Sequence, residues 1–296
     1  MNYIKIQLIR LFPRLLFKNC SFLLEYQKKW KGDKKSLKIQ QCIIENQKEI
    51  DISGYCFHCN KKVKMRVDFE YGFKSLDGKI IPNFRERLTC EFCGLNSRMR
   101  ATLQAISYLC GDLKNKKVYI TEELTPLYDL LQKKCKFIKG SEFVPEKELG
   151  KRIKIDGVNK EINNQDLTRL TFKDKEFDLV ISLDCLEHIF QYKKALSEIF
   201  RVLNRNGTFV FSVPFCLESE KNIERAKIKN GAIVNLLPPE YHGDPVTQKG
   251  CLCFYHFGWE ILENLKKIGY KESSALLYQS SNFGYLSQGI IFYAKK

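Results

Sequence analysis

No stretch of this 296-residue chain approaches the ~20 consecutive apolar residues that a membrane-spanning helix needs. The opening MNYIKIQLIRLFPRLLFKNC is interrupted by Lys5, Arg10, Arg14 and Lys18, so it lacks the core of a secretion signal, and a cytoplasmic protein is expected. Its apolar and basic residues fit a short amphipathic helix broken at Pro13, either a docking segment or a membrane-surface anchor. Acidic excess is missing too: 50 Lys and Arg face 34 Asp and Glu, a formal net charge of +16. The imbalance lies in residues 1–117, with 24 basic and 11 acidic side chains (+13), against 26 and 23 (+3) in the remainder. A basic segment of this kind attracts nucleic acid, anionic lipid or a phosphorylated substrate, and a lysine-rich solvated face is the plainer reading. What is present is an ordinary globular composition, 44% hydrophobic and 28% charged, enough for one large domain with a small appendage.

Twelve cysteines without a secretion signal point to a reducing compartment, and four of them form two CxxC pairs. Tyr55-Cys56-Phe57-His58-Cys59 and Cys90-Glu91-Phe92-Cys93-Gly94 flank a segment with a turn signal at Asp77-Gly78. Cys56, Cys59, Cys90 and Cys93 supply the four thiolates that tetrahedral Zn²⁺ takes, so residues 49–96 read as a zinc ribbon. A segment this small folds with its metal, and His58 reads as a surface residue. Residues 1–48 make a basic arm without a domain signature. Ser97 is expected to cap a helix with Leu103, Ile106, Leu109 and Cys110 on one side, closing at Gly111. Arg98 and Arg100 at its start read as surface charges, or else as nucleic-acid contacts.

Farther along, Phe177 to Leu183 is an apolar run too short for a free-standing helix and reads as a strand buried on both faces. Leu196, Ile199, Phe200 and Leu203 then repeat at i, i+3, i+4, i+7, one apolar helical face. Asn206-Gly207 is expected to stop that helix, and Thr208 to Val213 forms a second buried strand ending at Pro214. Strand, helix, strand is a βαβ unit, whose ligands lie outside the carboxyl ends of the strands. There stand Ser182, Asp184, Glu187 and His188.

The run FDLVISLDCLEH, followed by KKALSEIFRVLNRNGTFVFSVPF, resembles the fourth-to-fifth-strand block of class I S-adenosylmethionine-dependent methyltransferases, of the type 11-like branch. The resemblance implies an α/β, Rossmann-like seven-stranded sheet over residues 97–296, with S-adenosylmethionine as methyl donor. Lys117 to Thr121 would be its first strand, with Thr125 and Pro126 opening a helix. The turn between, ITEELTP, has no glycine and resembles a less common branch with a T-E-x-x-T-P turn; Thr121 and Glu122 are its candidate cofactor contacts. By the same resemblance Glu142 ends the second strand and accepts the ribose hydroxyls, with Phe143 against the adenine. Asp166 and Leu167, after a short third strand, would meet the adenine amino group and ring. Ser182 and Asp184 would face the methionine end or the substrate, and His188 either packs on the sheet or handles protons. Ala275 to Tyr278 and Ile290 to Ala294 complete the sheet.

Residues 216–258 read as an insertion capping the strand ends, with a hairpin turn at Asn230-Gly231. His242, Asp244 and His256 fall within it, as do Cys251 and Cys253, whose spacing with the histidines matches no standard metal site. The expected reaction is methyl transfer to an oxygen or nitrogen nucleophile of a small-molecule or glycan-type substrate. His242 or His256 would be the base and Asp244 would orient one of them. Two alternatives stand beside it: RNA methylation with the basic ribbon as docking module, or a non-catalytic scaffold that keeps the fold. Nothing in the sequence indicates the oligomeric state.

Overall fold

The computed structural model describes residues 17–145, 147–155, 157, 159–243, 246 and 250–296. Asp244 and the amphipathic start of the chain lie outside the described residues. The chain divides into two compact units, one made of residues up to Asn19, Lys29–Tyr108 and Leu276–Ile291, the other of Cys20–Lys28, Leu109–Ala275 and Phe292–Lys296.

In the first unit, strands Ile50–Cys56 and Lys61–Val67 pair antiparallel, and Thr89–Cys90 adds to the second of them. Val63, Met65 and Val67 alternate inward onto Ile43, Phe84 and Leu88, the period of two that a half-buried strand dictates. The turn signal at Asp77-Gly78 closes a small hairpin, Phe73–Lys74 with Ile80–Ile81, and Gly78 takes φ 84° there. Helix α1, Ser97–Cys110, is capped by Asn96 instead of Ser97: the Asn96 Oδ1 accepts the Met99 amide at 2.9 Å, while the Ser97 hydroxyl donates to the Gly284 carbonyl. Arg100, expected at the surface, is fully buried. Its guanidinium donates to the carbonyls of Phe283 (2.7 Å) and Leu88 (3.3 Å), so a backbone-satisfying role replaces a surface or nucleic-acid one.

Seven strands form the main sheet: β1 Lys18–Cys20, β2 Lys117–Ile120, β3 Phe137–Gly140, β4 Phe177–Leu183, β5 Leu203–Ser212, β6 Glu272–Ser280 and β7 Tyr285–Lys295. Their order is β1-β6-β7-β5-β4-β2-β3. β3, β2, β4 and β5 are parallel and β7 is antiparallel to β5, a mixed sheet with its acidic strand ends on one rim. Helix α2, Pro126–Lys134, opens as expected, with the Thr125 hydroxyl accepting the Tyr128 amide and Pro126 in the first turn. Helix α3, Tyr192–Val202, buries Ala195, Leu196, Ile199 and Val202 on one face. It ends four residues before Asn206-Gly207, because Leu203 is already extended and pairs with Phe177. Asn206, not Gly207, takes the left-handed conformation (φ 67°). Gly207 is needed for close approach: a Cβ there would lie 2.9 Å from the Asn204 carbonyl oxygen. Helix α4 spans Glu260–Ile268 and ends at Gly269 with φ 119°.

The third strand expected from the resemblance is reduced. Ile162–Asn163 pairs antiparallel with Arg152–Ile153, and Asn164 meets Glu142 through a single parallel bridge. β6 and β7 are longer than expected, with only the 3₁₀ turn Ser281–Phe283 and Gly284 between them. No helix among the described residues is long and apolar enough to cross a membrane.

Candidate active site

The rim of the second unit starts at the glycine-free turn after β2. Its side chains are tied down individually: Thr121 donates to the Ser182 hydroxyl at 3.1 Å, and Glu122 accepts from Thr125. Glu123 folds into the protein, accepting the Asn163 amide and a 2.8 Å bond from Arg152. The backbone amides of Glu123 and Leu124 both donate to the Glu142 Oε1, at 2.7 and 3.0 Å. Glu142 is thereby aimed by the turn, with its second oxygen free of that task. Burial nevertheless pushes its carboxyl up to about 7, with Glu122 and Glu123 adding to the rise and the two amides opposing it. Asp166 spends Oδ1 on the amide and hydroxyl of Thr168, fixing the turn that carries buried Leu167. Phe143 is exposed at 53%, a ring on the open side of the rim. Asp184, just past β4, holds φ 47° and accepts from the Ser212 hydroxyl at 2.8 Å, so the ends of β4 and β5 are clamped together. A left-handed aspartate costs backbone energy, a cost concentrated at functional rims.

The cap builds the rest. The Phe254 amide donates to the Glu187 carbonyl, pinning cap to strand end, and short ladders Ile223–Glu224 with Tyr255–His256 and Tyr241–His242 with Cys251–Leu252 stiffen it. The hairpin Ala226–Lys229 with Ala232–Asn235 turns at Asn230 (φ 52°) and Gly231 (φ 78°), as the Asn-Gly pair demands. Under the cap lies a cluster of carboxylates and imidazoles. Glu240 Oε1 faces His242 Nε2 at 2.9 Å and His256 Nε2 at 3.1 Å, and its Oε2 meets Arg225 at 3.1 Å. His242 Nδ1 points the other way, 3.5 Å from Glu187 Oε1. Glu187 and then Glu240 push the His242 imidazole up to about 9, so it is charged at neutral pH. Burial pushes Glu187 up to about 7, against the pull of His242. His188 does more than pack on the sheet: its ring also faces Glu187, and its Nδ1 bonds the Leu252 carbonyl at 2.9 Å.

Of the three catalytic candidates, His242 and His256 converge on one carboxylate. That carboxylate is Glu240, which the sequence places with the histidines among the substrate-site candidates of the cap, while Glu187 is expected only as a polar residue at the strand end. Glu240 is legible from its place two residues before His242 in Pro-Pro-Glu-Tyr-His, whereas Glu187 meets its partner only through the fold. A separate cleft of ≈ 730 Å³ lies beside β3, lined by Tyr128, Gly140, Arg152, Asn163, Gln165 and Glu176; none of the predicted site residues lines it.

In the first unit, Cys56 and Cys93 sulfurs stand 3.8 Å apart and those of Cys59 and Cys90 3.9 Å. A tetrahedral ion with Zn–S of about 2.3 Å sets ligand sulfurs about 3.8 Å apart, so the four thiols fit zinc. All four sulfurs lie within 4.8 Å of one another.

A family model described as a methyltransferase domain matches residues 128–211. No curated protein matches the sequence. Among solved structures, the chain is similar to a methyltransferase from Listeria monocytogenes (12% identity, 67% of this chain and 98% of that one, TM-score 0.43). It is similar also to one from Mesorhizobium loti (13% identity, 66% and 98%, TM-score 0.41). A third is the 1,6-didemethyltoxoflavin-N1-methyltransferase of Burkholderia thailandensis, solved with 1,6-didemethyltoxoflavin and S-adenosylhomocysteine (13% identity, 68% and 78%, TM-score 0.39). The family match falls across α2, β3, β4, α3 and β5, the parallel half of the sheet whose strand ends carry Glu142 and Asp184, so residues 128–211 are what resembles a methyltransferase domain.

Proposed function

We propose that the enzyme methylates an oxygen or nitrogen nucleophile of a small molecule held beneath the cap. The observation that carries this is the His256–Glu240 pair, an imidazole hydrogen-bonded to a carboxylate at 3.1 Å in the segment that overhangs the end of β4. Bound at the rim, S-adenosylmethionine supplies a methyl carbon already activated by its sulfonium, so the protein's work is alignment and removal of the acceptor's proton. Glu142 takes the ribose hydroxyls through its free oxygen, and Asp166 and the Leu167 amide take the adenine. Thr121, Glu122, Ser182 and Asp184 border the methionine end. His256 receives the acceptor's proton and Glu240 stabilises the charge that results. His242, already charged between Glu187 and Glu240, is the poorer base and acts by position. In the ribbon, we propose a structural Zn²⁺ on Cys56, Cys59, Cys90 and Cys93, supported by their sulfur spacing. The test of the catalytic reading is turnover against calorimetric binding of S-adenosylmethionine. His256→Ala should lower turnover at least 100-fold with cofactor affinity intact. Turnover within a factor of two of the parent removes the histidine from the chemistry.

A further inference from the structure

Glu187 is the anomaly under the cap. Its side chain is fully buried and both carboxylate oxygens lack a hydrogen-bond donor among the described residues. A buried carboxylate without a well-formed hydrogen bond is costly, and a bound ion is one of the arrangements that account for it. Two imidazole nitrogens face it: His242 Nδ1 at 3.5 Å and His188 Nε2 at 3.7 Å from Oε1. The far nitrogen of each ring is already committed. His188 Nδ1 lies 2.9 Å from the Leu252 carbonyl, which can only accept, so that nitrogen carries the hydrogen and Nε2 keeps its lone pair. His242 Nε2 lies 2.9 Å from the Glu240 carboxylate, which likewise takes its hydrogen, so a cation binding at Nδ1 displaces the proton that the imidazolium holds towards Glu187. Ring nitrogens oriented through a carbonyl or carboxylate behind them are what metal-ligating histidines show.

We infer that Glu187, His188 and His242 bind a divalent first-row cation. With metal–ligand distances of about 2.0–2.2 Å, tetrahedral ligand atoms lie about 3.3–3.6 Å apart. The observed 3.5 and 3.7 Å need little adjustment, and all three ligand atoms fall within 4.8 Å of one another. Two imidazoles and one carboxylate leave positions open for water or a substrate oxygen. Sequence spacing missed the set because two ligands are adjacent at the end of β4 and the third arrives 54 residues later on the cap. The neighbouring trio Glu240, Cys253 and His256 is no rival: the Cys253 thiol donates to the Tyr255 carbonyl and Glu240 is taken by Arg225 and both histidines. The inference stands on these side chains and not on the methyl-transfer reading; if both hold, the cation favours a hydroxyl as acceptor, since a bound hydroxyl loses its proton more readily.

The test titrates the full-length, zinc-replete chain with Co²⁺. The expected result is one equivalent of Co²⁺ giving visible d–d absorption without the near-ultraviolet thiolate band that exchange into the ribbon would bring. Glu187→Gln and His242→Ala should each weaken it at least tenfold, and His256→Ala should leave it unchanged. Circular dichroism checks each fold, and should Glu187→Gln not fold, His242→Ala carries the comparison alone. Absence of binding beyond the ribbon, or binding indifferent to both substitutions, overturns the inference. S-adenosylmethionine calorimetry on the same samples reads the methyl-transfer reading separately.

Discussion

Glu142 concentrates the argument about the cofactor in one side chain. The turn after β2 has no glycine to bring its backbone against a ligand, and it spends two amides on this carboxylate instead. Because burial holds the carboxyl near 7, its protonation governs two properties of opposite sign. In the proposed ribose role the ionised form is the acceptor, so S-adenosylmethionine affinity should fall as pH drops below about 7. Glu142→Gln should weaken binding roughly 10- to 100-fold, the worth of a charged hydrogen bond, and flatten that pH dependence. Without ligand, an acid raised from 4.5 binds its proton more tightly when folded. Its contribution to stability is full below 4.5 and is lost as pH rises through 7, and the variant should lack that decline. Calorimetry at pH 6 and 8, with thermal melts between pH 4.5 and 8, checks both, and an unaltered affinity in the variant refutes the ribose role. Arg100 shows the limit of reading single residues from sequence. Its acceptor on Phe283 is 183 residues away, so local pattern placed it on the surface and only the fold reveals it as buried.

At the scale of elements, legibility followed locality. The β4–α3–β5 block is legible because apolar periodicity and burial are local properties, and the structure differs from it only at the end of α3, which stops at Val202 because β5 begins pairing at Leu203. The third strand was not legible. Ile162–Asn163 contributes two ladder residues and finds its partner at Arg152–Ile153, a pairing that composition does not encode. Local spacing also gave the CxxC pairs, since two knuckles at the ends of strands bring four sulfurs together whatever lies between. That element makes its own prediction. Cys56, Cys90, Val63, Met65 and Phe84 share one small core, and four thiols at such spacing need a cation to ionise together. Cys90→Ser should abolish the ribbon's zinc, measured as metal content. It should also raise amide exchange across Ile50–Cys56 and Lys61–Val67 at least tenfold. Protection that survives the loss of zinc would mean that the apolar core suffices and the metal is incidental.

On the scale of the whole molecule, the open question is what a chain with a charge of +16 does with it. The excess lies in residues 1–117, outside the segment that carries Glu142, Asp184 and the cap. If RNA were the methyl acceptor, basic side chains of the first unit would have to present it. Two of those candidates, though, are engaged elsewhere: Arg100 is buried on carbonyls, and Arg98 is paired with Glu86 at 2.8 Å. The exposed lysines remain available for sequence-independent phosphate contacts, which release counterions and weaken steeply with salt. The expectation is therefore a split result. The full chain should retain single-stranded RNA at low salt and lose it by physiological salt. Incubated with methyl-labelled S-adenosylmethionine and total RNA at that salt, it should transfer no label to the RNA. Small-molecule extracts under the same conditions should become labelled, and His256→Ala should abolish that labelling. Label appearing in RNA, and lost in the same variant, would reverse the acceptor class while leaving the rim and its histidine in place.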